Sequence, residues 1–218
     1  SSEVLTNKVM QENSITLYAV FKQDVTVTYY NNNTTAAETT KGKYYNNGNT
    51  VNPTFKISQV AKSGWIARGW GTATTGNAAV VYADGTNFTI SLDTTLYGLY
   101  YKTVTLSYNG NGATSGSVAT QKGNAYYNSA GNTTNATFTL ASNGFSKSGY
   151  KFVKWAINSA SGTKYAAGGS ISINANTVMY ATWESTTLTI IQNGNLLLSN
   201  YIIGNTGTAY SGHASSST

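Results

Sequence analysis

Apolar and polar residues alternate in two widely separated stretches of this chain. Val25, Val27 and Tyr29 alternate with Thr26 and Thr28, and Val104, Leu106 and Tyr108 alternate with Thr105 and Ser107. Successive side chains of a strand point to opposite faces, so each stretch predicts a strand with one buried face. A second pattern places Leu96, Gly98 and Tyr100 on one face, then Met179, Ala181 and Trp183, and earlier Leu17, Ala19 and Phe21. The order is always large, small, aromatic. Size is kept rather than identity, as packing of a core face requires. On the opposite face Tyr18, Tyr97 and Tyr180 recur. A tyrosine there needs a cover for its ring or an edge partner for its hydroxyl. Turns fall at Asn46-Asn47-Gly48, Ala83-Asp84-Gly85, Asn109-Gly110-Asn111-Gly112 and Ala167-Gly168-Gly169, where Gly or Asn supplies positive φ. Helical periodicity is missing throughout, although residues 55–61 admit a short helix.

These patterns belong to one repeating unit. Lys41-Gly42-Lys43-Tyr44-Tyr45 returns as Lys122-Gly123-Asn124-Ala125-Tyr126-Tyr127, with one extra residue. Lys62-Ser63-Gly64-Trp65 returns as Lys147-Ser148-Gly149-Tyr150, and Trp70 as Trp155. The spacing drifts from 79 positions (Val25 to Val104) to 85 (Trp70 to Trp155), consistent with small loop insertions. Residues 16–21 copy the closing strand once more, and residues 188–195 copy the opening strand. The expected organisation is therefore residues 1–23 as the closing strand of a preceding repeat, 24–102 as repeat one and 103–185 as repeat two. Residues 186–218 open a following repeat and end in a flexible Ser/Gly-rich tail from 211. A repeat of about 80 residues buries roughly 60–65% of its unfolded surface, enough for an independent domain. Beads on a string are expected rather than a solenoid with a shared core.

Composition narrows the class. Only 9% of the residues are charged, hydrophobic residues make up 40%, and there are 17 Tyr and 4 Trp. That supports packed cores and strands rather than disorder. Cysteine is absent, which removes disulfides and thiolate metal sites. The net charge of +6 is spread over scattered lysines, without the basic block of a nucleic-acid footprint. No apolar run approaches the ~18–20 residues that span a bilayer, so direct membrane insertion is not expected.

At these motifs the chain resembles the Listeria–Bacteroides repeat, the internalin B-type B-repeat family. The resemblance rests on the opening Tyr108-Asn109-Gly110-Asn111-Gly112, the central Gly149-Tyr150-Lys151-Phe152-Val153-Lys154-Trp155 and the closing Val178-Met179-Tyr180-Ala181-Thr182-Trp183. Repeat one carries it in Gly64-Trp65, Gly69-Trp70 and Thr95-Leu96-Tyr97. Ala67 stands where the family has Phe, and Lys154 where it has Gly. The resemblance implies a mainly β fold of small β-grasp-like, ubiquitin-like sheets. It also implies strings of repeats in secreted or wall-attached bacterial surface proteins, serving as stalks, spacers or adhesive modules rather than catalysts.

The titratable groups agree with a non-catalytic role. Residues 103–183 contain no Asp, Glu, His or Cys, so they supply no carboxylate pair, histidine-based triad or usual metal ligand set. Repeat one offers Glu38, Asp84 and Asp93, read as a loop residue without a partner and two turn residues. His213 lies in the Ser/Gly tail with no carboxylate to orient it. No catalytic, metal or cofactor site is expected. Trp70, Trp155 and Trp183 recur within the motif and are read as core. Trp65, Tyr44, Tyr45, Tyr126 and Tyr127 are the candidate surface-binding residues. A tandem Tyr pair puts one ring on each face of a strand, which leaves one of each pair exposed. The partners left open are a host or environmental protein, a glycan, and neighbouring repeats of the same chain. A carbohydrate-binding module and a fibre subunit joined by strand donation are the alternative functions.

Overall fold

The computed structural model describes residues 16–46, 48–192 and 195–202, with the backbone alone described over 187–202. Among the described residues every regular element is a strand. They fall into two compact units. Unit 1 runs to Lys102 and also takes in Tyr126–Thr134, and unit 2 holds Thr103–Ala125 and the chain from Asn135 onward.

In unit 1 the opening strand Val20–Tyr30 lies between two neighbours. It pairs antiparallel with Ala36–Asn46, Val20 facing Asn46 and Tyr30 facing Ala36. On its other side it pairs parallel with the closing strand, Val27 facing Thr94 and Tyr30 facing Tyr97. Strand Ile66–Gly71 then pairs antiparallel with that closing strand. The alternation read from the sequence becomes burial, with Val25 and Val27 fully buried and Thr26 and Thr28 half-exposed. A two-stranded ribbon, Thr54–Lys56 with Asn87–Thr89, sets Phe55 opposite Phe88. Both rings, with Ile57, Ile90, Leu96 and Trp70, close the core against the sheet.

Residues 55–61 are not a helix. Phe55 and Ile57 are both buried while Lys56 and Ser58 are exposed, a period of two that a helix would scatter around its circumference. The ribbon pairing supplies the backbone hydrogen bonds that a helix would have made internally. The mainly β expectation stands without the short helix.

Unit 2 repeats the plan. Strand Thr177–Ser185 runs parallel to residues 106–109, with Leu106 facing Thr177. It also pairs antiparallel with Tyr150–Ile157. A ribbon of Ala136–Thr139 and Ser170–Ile173 puts Phe138 opposite Ile171. Trp155, Met179, Leu106 and Leu140 are almost wholly buried beneath it. The two tryptophans are equivalent in chemistry as well as in position. Trp70 Nε1 donates to the Ile57 carbonyl at 3.2 Å, and Trp155 Nε1 to the Ala141 carbonyl at 2.8 Å. An opening-strand tyrosine packs on each indole, Tyr29 on Trp70 at 5.8 Å and Tyr108 on Trp155 at 4.8 Å between ring centroids. Trp183 is half-buried on the rim of this core and donates to the Gly110 carbonyl.

The central strand carries a bulge just before each core tryptophan. In unit 1 Gly69 sits there at φ 121°, and an added Cβ would lie 2.6 Å from the Tyr82 carbonyl oxygen. Gln59 spans this bulge, accepting from the Gly69 amide and donating to the Leu99 carbonyl. Unit 2 has Lys154 in place of that glycine. There the Thr182 hydroxyl accepts from the Lys154 amide and donates to its carbonyl. The bulge is thus held by different side chains in the two copies, and Lys154 does not adopt the positive φ that Gly69 has.

The outer copies are described in part. Residues 187–192 form a strand. In the closing copy at 16–21, strand structure begins only at Val20. Residues 207–210, His213 and the Ser/Gly tail lie outside the described residues.

Candidate functional site

The sequence singled out Trp65, Tyr44, Tyr45, Tyr126 and Tyr127. Three of these come together in unit 1. Trp65 follows the tight turn at Gly64, and Tyr126 and Tyr127 lie near the end of strand Gln121–Asn128. The Trp65 and Tyr127 ring centroids are 5.9 Å apart, and Tyr100 lies 6.1 Å from Tyr127. A cation stands over each of Tyr127, Trp65 and Tyr126. Lys62 Nζ stands 3.9 Å above Tyr127, Lys102 Nζ 4.7 Å from Trp65, and the Arg68 guanidinium 4.7 Å from Tyr126. Each such contact contributes about 0.5–1 kcal/mol at an exposed site. Tyr126 and Tyr127 are both half-buried, so the tandem pair does not leave one ring free. The cover comes from Lys62, Arg68 and Trp65, three residues that strand periodicity could not place beside them.

Tyr44 and Tyr45 lie apart from this group, on strand Ala36–Asn46. Here the alternation holds, with Tyr44 exposed and Tyr45 half-buried. The Tyr45 hydroxyl donates to Gln23 Oε1 at 3.0 Å, and Lys43 Nζ stands 5.0 Å from its ring.

A hydrogen-bond clamp beside the aromatic group escaped the sequence reading. Asn128 is fully buried. Its amide nitrogen donates to the carbonyls of Ala73 and Thr75, both at 2.9 Å, and its oxygen accepts from the Ala130 amide. Asn132 donates to the Thr74 carbonyl between them at 2.8 Å. Ser129 donates to the Gly98 carbonyl through its amide and its hydroxyl. Gly76 lies so close to the Thr133–Thr134 backbone that a Cβ there would meet it at 2.5 Å. The available signal was the Asn that follows Tyr-Tyr in both copies, Asn46 and Asn128.

Two carboxylates of repeat one, Asp84 and Asp93, accept from the backbone. Asp84 Oδ1 accepts from the Gln59 amide at 2.6 Å, as befits a residue that orders the turn through Gly85. Asp93 Oδ1 accepts from the Thr26 amide at 2.8 Å, and in unit 2 Asn176 Oδ1 does the same for Thr105 at 2.9 Å. A neutral amide that replaces a carboxylate in the second copy marks the position as a structural acceptor. Glu38, expected to be partnerless, accepts from the Thr28 hydroxyl across the strand pair. Among the described residues no group of three His, Cys, Asp or Glu side chains converges as a metal site would require. No buried side-chain polar atom among them lacks a hydrogen-bond partner. Tyr100 is the most perturbed titratable group. Burial, reinforced by the nearby Asp84 charge, pushes its phenol up to about 12. Its hydroxyl donates to the Val60 carbonyl at 2.9 Å, so it acts as a fixed donor in the core. Nor is any helix among the described residues long and apolar enough to cross a membrane.

A family model described as the Listeria-Bacteroides repeat domain matches this chain twice, over residues 26–98 and 105–182. Comparison with curated proteins and with solved structures found no match.

Proposed function

The chain belongs to the Listeria-Bacteroides repeat domain family, in two tandem copies, and from that premise we propose that it is a spacer or adhesive segment of a secreted or wall-attached bacterial surface protein. One observation carries this reading: each unit closes on its own tryptophan-centred core, and Asp84 and Asp93 of repeat one accept from backbone amides. Each of these carboxylates, and Glu38 with them, already accepts a hydrogen bond from the protein's own chain. Such a segment gives length and a durable fold, and it works without catalysis or cofactor.

The carbohydrate-binding alternative needs exposed, flat aromatic faces. Trp65 and Tyr127 are instead engaged by lysines and by each other, which leaves Tyr44 as the most exposed ring of the candidate set. A glycan array probed with the intact chain and with Tyr44→Ala separates the two readings. The spacer reading expects no retained glycan. A retained glycan that is lost in Tyr44→Ala would replace it with sugar recognition.

A further inference from the structure

The same five apolar or aromatic positions occur in two opposite environments within unit 1. In the closing strand Leu96, Leu99 and Tyr100 are fully buried, Gly98 is buried and Tyr97 half-buried. Their counterparts at 17–21 are open. Leu17 is 74% exposed, Tyr18 56%, Val20 59% and Phe21 67%. The residues that touch them differ in the same way. Beside the closing strand sits the 126–134 segment, with Tyr127 against Tyr100 and Asn128 and Asn132 gripping the carbonyls of 73–75. Beside residues 20–23 sits the equivalent hairpin of repeat one, with Tyr45 opposite Phe21 in register and Asn46 opposite Val20. Its sequence, Tyr44-Tyr45-Asn46 followed by Gly48-Asn49-Thr50, parallels Tyr126-Tyr127-Asn128 followed by Gly131-Asn132-Thr133. Yet Asn46 is exposed whereas its counterpart Asn128 is buried; Asn49 and Asn132 are both exposed, and Asn132 donates to the Thr74 carbonyl. Tyr18, Phe21, Tyr45, Asn46 and Asn49 line a groove of about 410 Å³.

We propose that this end of unit 1 is a docking face for one more Listeria-Bacteroides repeat. That repeat takes residues 16–21 as its closing strand and offers Asn46 and Asn49 the carbonyls of its own counterpart of the 73–76 loop. The occupant follows from unit 1 itself, which displays the complete joint: a closing strand, an acceptor loop, and a Tyr-Tyr-Asn hairpin from the next repeat's sequence seated on both. Residues 16–21 and 44–51 are two of those three parts, already paired to each other. The missing part is an acceptor loop on a central strand such as Ile66–Gly71. An unrelated partner would have no reason to match two amide side chains at this spacing beside a strand of large, small and aromatic residues. Burial of Leu17, Val20 and Phe21 would then contribute as it does for Leu96, Leu99 and Tyr100. The proposal rests on the repeat reading above, but stepwise unfolding of the chain as it stands would survive its failure.

The test is a chain in which residues 23–101 are duplicated after Lys22, so that the added copy closes on its own 94–101 and continues into the original Gln23. In this chain the original 44–51 hairpin must do for the added copy what 126–134 does for repeat one. Hydrogen exchange is compared with the parent chain. Amides at 44–51 of the original copy are expected to slow about tenfold or more. Asn46→Ala combined with Asn49→Ala in that copy is expected to return them to the parent rate. The amides of the added copy's Val25–Tyr29 strand report whether it has folded. A folded added copy over an unprotected hairpin would overturn the proposal. So would an added copy that stays unfolded, because it differs from repeat one only in receiving hairpin 44–51 in place of 126–134.

Discussion

Asn128→Ala removes one side chain from the point where segment 126–134 is held in unit 1. Three hydrogen bonds go with it: two from the amide nitrogen to Ala73 and Thr75, and one from the Ala130 amide to its oxygen. Each is worth about 0.5–1.5 kcal/mol net, and a group left unpaired where water cannot reach costs more. Ala73 and Thr75 lie in an exposed loop, so water can replace the lost donor there. The Ala130 amide follows a fully buried residue and is harder to rehydrate. The expected loss is about 2–3 kcal/mol. Asn128→Asp sharpens the test. At neutral pH it would face two carbonyl oxygens with a carboxylate oxygen instead of an N–H, and should cost at least as much as alanine. Those carbonyls disfavour the charged form, so the folded pKa of this Asp lies above its unfolded value of about 4. Its stabilising contribution is therefore present below that unfolded value and is lost as pH rises through the folded pKa. Urea unfolding followed by tryptophan fluorescence at pH 7 and near pH 4 measures both variants, with the exposed Asn46→Ala as a control expected within ~0.5 kcal/mol of the parent. The reasoning is refuted if Asn128→Ala also falls within that margin, or if the Asp variant matches or exceeds the parent at pH 7.

Three further outcomes follow from the structure. Tyr100 has a folded pKa near 12 against about 10 unfolded, so its contribution holds below pH 10 and is lost as pH rises towards 12, on the order of 2–3 kcal/mol; Tyr100→Phe should flatten that decline in a urea series from pH 8 to 11.5. Asp93→Asn should cost less than ~0.5 kcal/mol and Asp93→Ala about 1 kcal/mol in the same unfolding assay, since Asn176 already fills the role in unit 2. Thr182→Val deletes both hydrogen bonds that span the bulge at Lys154 at nearly constant shape; about 1–2 kcal/mol should be lost, with amide exchange accelerating at residues 152–156.

The parts of this fold that a sequence can reveal are those set by local periodicity. Alternation placed Val25, Val27, Val104 and Leu106 inside, and recurrence placed Trp70 and Trp155 in equivalent core positions. The extended ribbon at residues 55–61 was harder to see, because two apolar residues two apart suit a short helix turn almost as well as a strand. Its partner strand lies some thirty residues away at Asn87–Thr89. The candidate surface was legible only as composition. That Lys62, Arg68 and Lys102 would cover Trp65, Tyr126 and Tyr127 depends on tertiary packing between residues 37 to 65 positions apart. The Asn128 clamp was hidden in a chain rich in asparagine, where the recurrence of Asn after Tyr-Tyr marks the position but not the carbonyls it meets.

The central claim is that the chain carries two repeats, each folded around its own tryptophan-centred core. Pulling the intact chain by its two ends in a single-molecule force experiment tests this most directly. The matched stretches of residues 26–98 and 105–182 are similar in length, and at about 3.3–3.6 Å per residue each should release roughly 25 nm of chain. The account predicts two steps of that size. A single step of about twice the length, or extension without any step, would contradict it.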